Sequence, residues 1–370
     1  MKFDHKFYNA RQQLKYCIFL LTLTVLQISI AFSAEQLNDP IRQRSINGIY
    51  VLMQETELKK ISSLMGNAGI IGASLSVEWK EIEPQENHYR WDILDEPIRT
   101  LNAMGKLVTV RIFPGISTPN WVYEKGANAF EFIDANPFHG KEYYSAGHRL
   151  STYGQTLRIP VPWDETFLAH WTKFIEAFAT HYRDTNNIAM IHITGPTKHS
   201  AEMVLPKSKQ DQQKWKSLGY TPEKLITAWT RCIDTFARAF PHTSLVLNLS
   251  PVIFNDNVMQ AVPKYGYMKY GQRFRLQNNI LLAGDEGMNR KDWDILREYS
   301  SKTTIGFQRQ LLRLDSQRLS HDEKTKLRRA NFQGTFEKGL SLGAKYFEVG
   351  AAEVVDFPDV VEEMAKRMRK

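Results

Sequence analysis

From Asn47 onward the sequence alternates short β-branched or apolar runs with longer segments of helical period, about eight times over. Neighbouring parallel strands need a crossover of a dozen or more residues, usually a helix, so this alternation predicts βα units and a parallel sheet. The expected strands are Gly48–Met53, Ile70–Trp79, Leu107–Phe113, Ile188–Thr194, Leu245–Ser250, Phe274–Leu282, Thr304–Gln308 and Lys345–Val349. Helices fit between and after them: Glu55–Asn67, Trp91–Met104, Glu165–Tyr182, Pro222–Phe240, Asn255–Tyr265, Lys291–Tyr299, Glu323–Leu342 and Pro358–Arg369. Asp164 and Thr221 are natural caps, and Pro222 suits a first helical position. Eight such units with no dividing linker predict a single (β/α)8 TIM barrel, an α/β fold with long loops after strands three and four. The main alternative, a doubly wound open sheet binding a nucleotide, often carries a glycine-rich phosphate loop after the first strand. Here that strand runs into Met53-Gln54-Glu55-Thr56-Glu57, which has no such loop.

The ends of the chain shape the expected location. Lys2, Lys6, Arg11 and Lys15 precede an apolar stretch from Cys17 to Phe32, and Ala31-Phe32-Ser33-Ala34 fits a signal peptidase site. The apolar stretch is short for a bilayer span. Residues 1–34 therefore read as a signal peptide of an exported protein, periplasmic or extracellular, with 35–370 as the barrel domain; the alternative is an N-terminal membrane anchor. The net charge of +8 includes those leader residues, and the remaining excess is spread over helix faces and the C-terminus. That distribution gives no support to a nucleic-acid partner. After cleavage only Cys232 remains, so neither an internal disulfide nor a multi-cysteine zinc cluster can form. It falls in the apolar pattern of a helix and reads as core.

In a (β/α)8 barrel the chemistry sits where strands end and loops begin, at the C-terminal face. Two insertions fall there, Pro114–Asp164 and Gly195–Thr221. Loops this long are uncommon unless they are functional or fold as subdomains. The first holds Trp121, Tyr123, Phe130, Phe132, Phe138, Tyr143, Tyr144, Tyr153 and Trp163, which could stack on sugar faces or pack the loop onto the barrel.

The segment Trp79-Lys80-Glu81-Ile82-Glu83-Pro84, then Tyr89-Arg90-Trp91-Asp92 and Leu94-Asp95, followed by Val110-Arg111-Ile112-Phe113-Pro114-Gly115 and Thr118-Pro119-Asn120-Trp121-Val122, carries a likeness. It resembles clan A glycoside hydrolases, notably the family 42 β-galactosidase-like and family 5-like barrels. The likeness is good over residues 47–125 and elsewhere rests on βα order. It implies hydrolysis of a glycosidic bond in a poly- or oligosaccharide, with no cofactor. Such catalysis uses two carboxyl groups flanking the bond, one to protonate the leaving oxygen and one to act as nucleophile or activate water. The resemblance places these at a Glu after an Asn ending strand four and a Glu ending strand seven. This chain has His192-Ile193-Thr194-Gly195-Pro196 and Gly306-Phe307-Gln308 there instead.

Two substitutes stand out. Glu202, in the loop after strand four, could act as the acid, or be a solvated loop carboxylate. Glu348 is a charge within an otherwise apolar final strand; burial of a carboxylate is costly unless it is paired or used, so it reads as nucleophile or base, or as half of an ion pair with an inward Arg or Lys. Glu78 shares the parity of Ser74 and Ser76 and is expected to face the barrel interior. Arg111 could bind a substrate hydroxyl, hold a carboxylate ionised, or pair with Glu78. Trp79 and Trp121 could form sugar platforms or pack the core under the loops, Gln308 is a candidate substrate contact, and Asp285 and Glu286 after strand six are further candidates or exposed loop carboxylates. His192, His199 and His242 form no metal-ligand spacing, and no G-x-S-x-G elbow is present. The rival to a glycosidase is a carbohydrate-binding pseudoenzyme on the same barrel, favoured by the missing Asn-Glu pair and Gln308.

Overall fold

The computed structural model describes residues 46–54, 61–139, 151–254, 257–284, 291–309 and 320–369. In chain order these form β1 Gly48–Gln54, α1 Ile61–Leu64, β2 Ile70–Glu78, α2 Trp79–Ile82, α3 Asp92–Ala103, β3 Leu107–Phe113, α4 Asn120–Glu124, β4 Ala129–Ile133, β5 Thr156–Pro160, α5 Glu165–Tyr182 and β6 Ile188–Ile193. There follow α6 Lys209–Ser217, α7 Pro222–Ala239, β7 Ser244–Leu249, α8 Asn257–Tyr270, β8 Phe274–Leu281, α9 Lys291–Tyr299, β9 Ile305–Arg309, α10 His321–Ser341, β10 Tyr346–Gly350, α11 Ala351–Asp356 and α12 Pro358–Met368. Eight parallel strands close a barrel in the order β1-β10-β9-β8-β7-β6-β3-β2, while β4 and β5 pair apart from it. The expected strands are all present, each end within one residue of its expected place. Asp164 and Thr221 cap α5 and α7 as their sequence suggests, accepting from the Phe167 and Lys224 amides. The expected helix from Glu55 falls partly outside the described residues, and the one expected to end at Tyr265 runs on to Tyr270.

Outward residues of the strands pack under the helices: Ala73, Leu75 and Val77 on β2, Val108, Val110 and Ile112 on β3, and Ile191 and Ile193 on β6 are buried in the core. The inward set is different in kind. Barrel interiors are ordinarily filled by branched aliphatics, but here Ser74, Thr109, Arg111, His192, Asn248, Gln277, Asn279 and Glu348 are buried. Room for large inward side chains is made by small neighbours. A Cβ on Gly306 would lie 2.1 Å from the Tyr346 ring, so that strand position must be bare.

The insertion after β3 is a small subdomain rather than an open loop. It contains α4 and the antiparallel β4–β5 hairpin, paired from Ala129↔Pro160 to Ile133↔Thr156. Its aromatics mainly glue it down. Phe130 stacks on Trp215 of α6 at 3.5 Å, and Trp163 packs against Trp215 and Tyr220. The insertion after β6 is likewise part helical, its α6 closed by a capping box of Ser208 and Asp211. Tyr143 and Tyr144 lie outside the described residues.

Gly306→Ala should force the Tyr346 ring to move and cost about 1–3 kcal/mol, the usual penalty of overpacking. Urea unfolding of the two proteins measures it, and an unchanged midpoint would refute the close fit.

Candidate active site

The polar interior is organised around Glu348. Its carboxylate forms an ion pair with Arg111, which reaches it from β3, three strands away around the barrel. Gln277 Nε2 donates to Oε2 at 2.6 Å, and Oε1 lies 3.3 Å from His192 Nε2. Arg111 also donates to Ser74 Oγ at 2.8 Å and to Gln308 Oε1 at 2.9 Å. Gln308 and Glu348 are register partners on β9 and β10, so one guanidinium grips the ends of two neighbouring strands. Burial works against a charge on Glu348, but the Arg111 guanidinium outweighs it and holds the carboxyl well below the usual range.

His192 is neutral by the same logic: burial, then the nearby Arg111 charge, lowers its pKa. Its Nδ1 lies 2.9 Å from Asn248 Oδ1, which can only accept, so the neutral ring carries its proton there. Asn248 Nδ2 and Gln277 Nε2 both donate to Asn279 Oδ1, at 3.0 and 2.8 Å. Gln277, Asn248 and Asn279 were not singled out in the sequence. The available signal was the one that exposed Glu348, a polar residue at inward parity in a buried strand.

Glu202 stands apart from this interior pair. β6 pairs with β7 up to Ile193↔Leu247, so residue 194 would next meet Asn248. It does not. The chain turns outward at Thr194, whose carbonyl accepts from Trp171 Nε1 at 3.0 Å, and at Gly195, where a Cβ would lie 2.5 Å from Cys232 Sγ. Glu202 then returns to form a parallel bridge with Asn248. Glu202 thus takes up, eight positions later in the chain, the pairing with Asn248 that the register of β6 would have given residue 194. Glu202 is half-buried, and its Oε2 accepts from Ser200 Oγ at 2.9 Å.

Other expectations need correction. Trp79 is no sugar platform: it is fully buried and packs against Trp121, Phe167, Trp171 and Phe174. Its indole donates to Glu83 Oε2 at 2.8 Å, and Trp121 Nε1 donates to the Glu83 carbonyl at 3.1 Å. The Glu-Pro element therefore ties two tryptophans together, and the left-handed Asn87 (φ 62°) turns its backbone N–H onto Glu83 Oε1 at 2.8 Å. Trp121 keeps partial exposure. Arg111 pairs with Glu348, not Glu78; Glu78 is partly exposed and bridges to Lys80 at 2.8 Å. Asp285 and Glu286 lie outside the described residues.

Residues 52–235 match the family model described as beta-galactosidase, glycoside hydrolase family 42. The matched span begins in β1 and ends within α7, so it includes Arg111 and Glu202 but stops short of Gln308 and Glu348. Over that span the chain is similar to this glycoside hydrolase family, while the closed eight-stranded barrel extends beyond it. Among solved structures it is similar to beta-galactosidase from the psychrophilic Marinomonas ef1, with TM-score 0.50 and 12% identity over 87% of this chain and 59% of that one. It is also similar to native xylanase 10B from Thermotoga maritima, with TM-score 0.48 and 12% identity over 91% and 98% of the two chains. At such identities the likeness is one of fold. No curated protein matches the chain in sequence.

Arg111→Met would strand a buried carboxylate and should cost about 3–5 kcal/mol in urea unfolding at neutral pH. The sign with pH follows from the lowered pKa of Glu348. Its contribution is complete above its unfolded value near 4.5 and is lost as pH falls through the folded value. Wild type should therefore lose stability on acidification below pH 4.5, and the loss should shrink in the variant.

Proposed function

We propose that this barrel hydrolyses a glycosidic bond in a poly- or oligosaccharide by a two-carboxylate mechanism. The observation that carries the proposal is the Glu202–Asn248 bridge, which returns a carboxylate to the end of strand four despite the absent Asn-Glu pair. In this reading Glu202 protonates the leaving oxygen. Glu348, kept ionised, faces the positive charge that develops at the anomeric carbon, as nucleophile or as base for water. Asn248 and His192 link the two: Asn248 pairs with Glu202 through the backbone and with His192 through its side chain, and His192 Nε2 faces Glu348 Oε1. Gln308, Arg111, Trp121 and Glu78 are the substrate contacts of this proposal. Glu348 is fully buried among Arg111, Gln277 and His192, so in this proposal one of these side chains moves for substrate to reach it.

The complete burial of Glu348, together with Gln308 on strand seven, favours a second reading, a carbohydrate-binding pseudoenzyme. Assays of the full protein on polysaccharides and aryl glycosides separate the two. Glu202→Gln should lower kcat by about 10²–10⁴, the usual worth of a positioned acid, and by less on aryl glycosides whose leaving group needs no proton. Glu348→Gln should also abolish turnover, with circular dichroism confirming folding. Saturable sugar binding without turnover, unaffected by either change, would instead establish the pseudoenzyme.

We also propose that the protein works outside the cytoplasm after removal of residues 1–34, supported by the basic leader, short apolar run and Ala31–Ala34 site. N-terminal sequencing of protein from the producing cell should begin at Glu35. A start at Met1 in a membrane fraction would show an anchor.

A further inference from the structure

We propose that Asp134 and Lys198 are positioning residues for Glu202, clamping the excursion that carries it to the hairpin subdomain. This inference rests on the reading of Glu202 as the acid. The excursion, residues 194–201, has no strand ladder of its own to hold it between β6 and the bridge at Asn248. Its hold comes from elsewhere. Lys198 N donates to the Val204 carbonyl at 2.7 Å, and the Lys198 carbonyl accepts from Ile116 N at 2.9 Å. The latter approach needs the bare, left-handed Gly115 (φ +62°), where a Cβ would lie 2.2 Å from the Lys198 oxygen. Thr197 Oγ1 reaches both the Ser200 and Glu202 carbonyls, at 2.8 and 2.6 Å. Displacing residues 197 and 198 therefore displaces Glu202.

The Lys198 side chain is fixed by Asp134, just beyond β4. Its Nζ lies 3.3 Å from Asp134 Oδ1 and 5.2 Å from the Phe132 ring centroid. Asp134 is a built anchor, fully buried: Thr152 Oγ1 donates to Oδ2 at 2.6 Å, and His139 Nδ1 meets the same oxygen at 2.6 Å. Asn136 Nδ2 lies 3.0 Å from the other ring nitrogen, and the His139 ring stands edge-on to His199 of the excursion. Burial opposes the Asp134 charge, but the Thr152 and His139 bonds and then Lys198 outweigh it and bring the pKa down to about 2, so the anchor stays ionised at neutral pH. A surface lysine bridge would be worth little. This carboxylate is buried, and it joins two insertions far apart in sequence.

The test compares wild type with Lys198→Met, Lys198→Arg and Asp134→Asn, using kinetics on a turned-over aryl glycoside and amide hydrogen exchange over residues 196–205. Lys198→Met should speed exchange in that segment and lower kcat about 10–100-fold, the scale expected from a misplaced catalytic group, with KM nearly unchanged. The alkaline limb of the rate profile should shift with it, while Lys198→Arg restores both. Faster exchange with kcat and pH profile intact would overturn the positioning role, and unchanged exchange would overturn the clamp itself. If Glu202→Gln leaves turnover intact, the reading of Glu202 as acid fails, whereas hydrogen exchange still decides whether the clamp exists.

Discussion

The ion pair between Arg111 and Glu348 crosses the barrel lumen, and the polar interior follows from it. A carboxylate with no exposed surface stays charged only if a counter-charge and hydrogen-bond donors meet it. Arg111 supplies the charge and Gln277 a donor. The guanidinium in turn reaches Ser74 and Gln308, and Gln277 shares Asn279 with Asn248. One charged pair thus recruits polar residues from most of the strands where an ordinary barrel carries aliphatics.

That same demand separates the interior from the mouth. Glu348 is committed to three neighbours, Arg111, His192 and Gln277, and held ionised, while Glu202 is half-buried beside Ser200. Under the proposed function, two carboxylates in unlike surroundings would divide the acid and nucleophile or base roles between them. Gln308 lies between these roles: it holds the strand-seven position that the clan A resemblance assigns to a carboxylate, yet it accepts a hydrogen bond from the arginine that grips Glu348.

The barrel was legible in the sequence because parallel strands covered on both faces leave a periodic trace, and the caps at Asp164 and Thr221 are local. Glu348 was legible for a related reason, since a charge in an apolar strand demands an explanation. Its partner was not. Parity put Glu78 and Arg111 on the same side of neighbouring strands, but which carboxylate lies nearer depends on the strand tilt and the lumen width, and no local spacing encodes those. Trp79 misled because an indole used for packing and one used for stacking look identical in sequence. The return of Glu202 to β7 depends on a bridge to a residue 46 positions further along, beyond the reach of any local pattern.

The outward turn at Thr194 and Gly195 has an evolutionary corollary. Both ends of the excursion are pinned to the barrel lattice, one by β6 and the other by the bridge at Asn248. Its crest is tied down as well, by Ile116 N on the Lys198 carbonyl and by Thr197 on the Glu202 carbonyl, so its length is set together with the place of Glu202. A lineage built on this framework can vary side chains along the excursion, but an insertion or deletion between Gly195 and Glu202 would have to be matched by a change in the hairpin insertion that holds it.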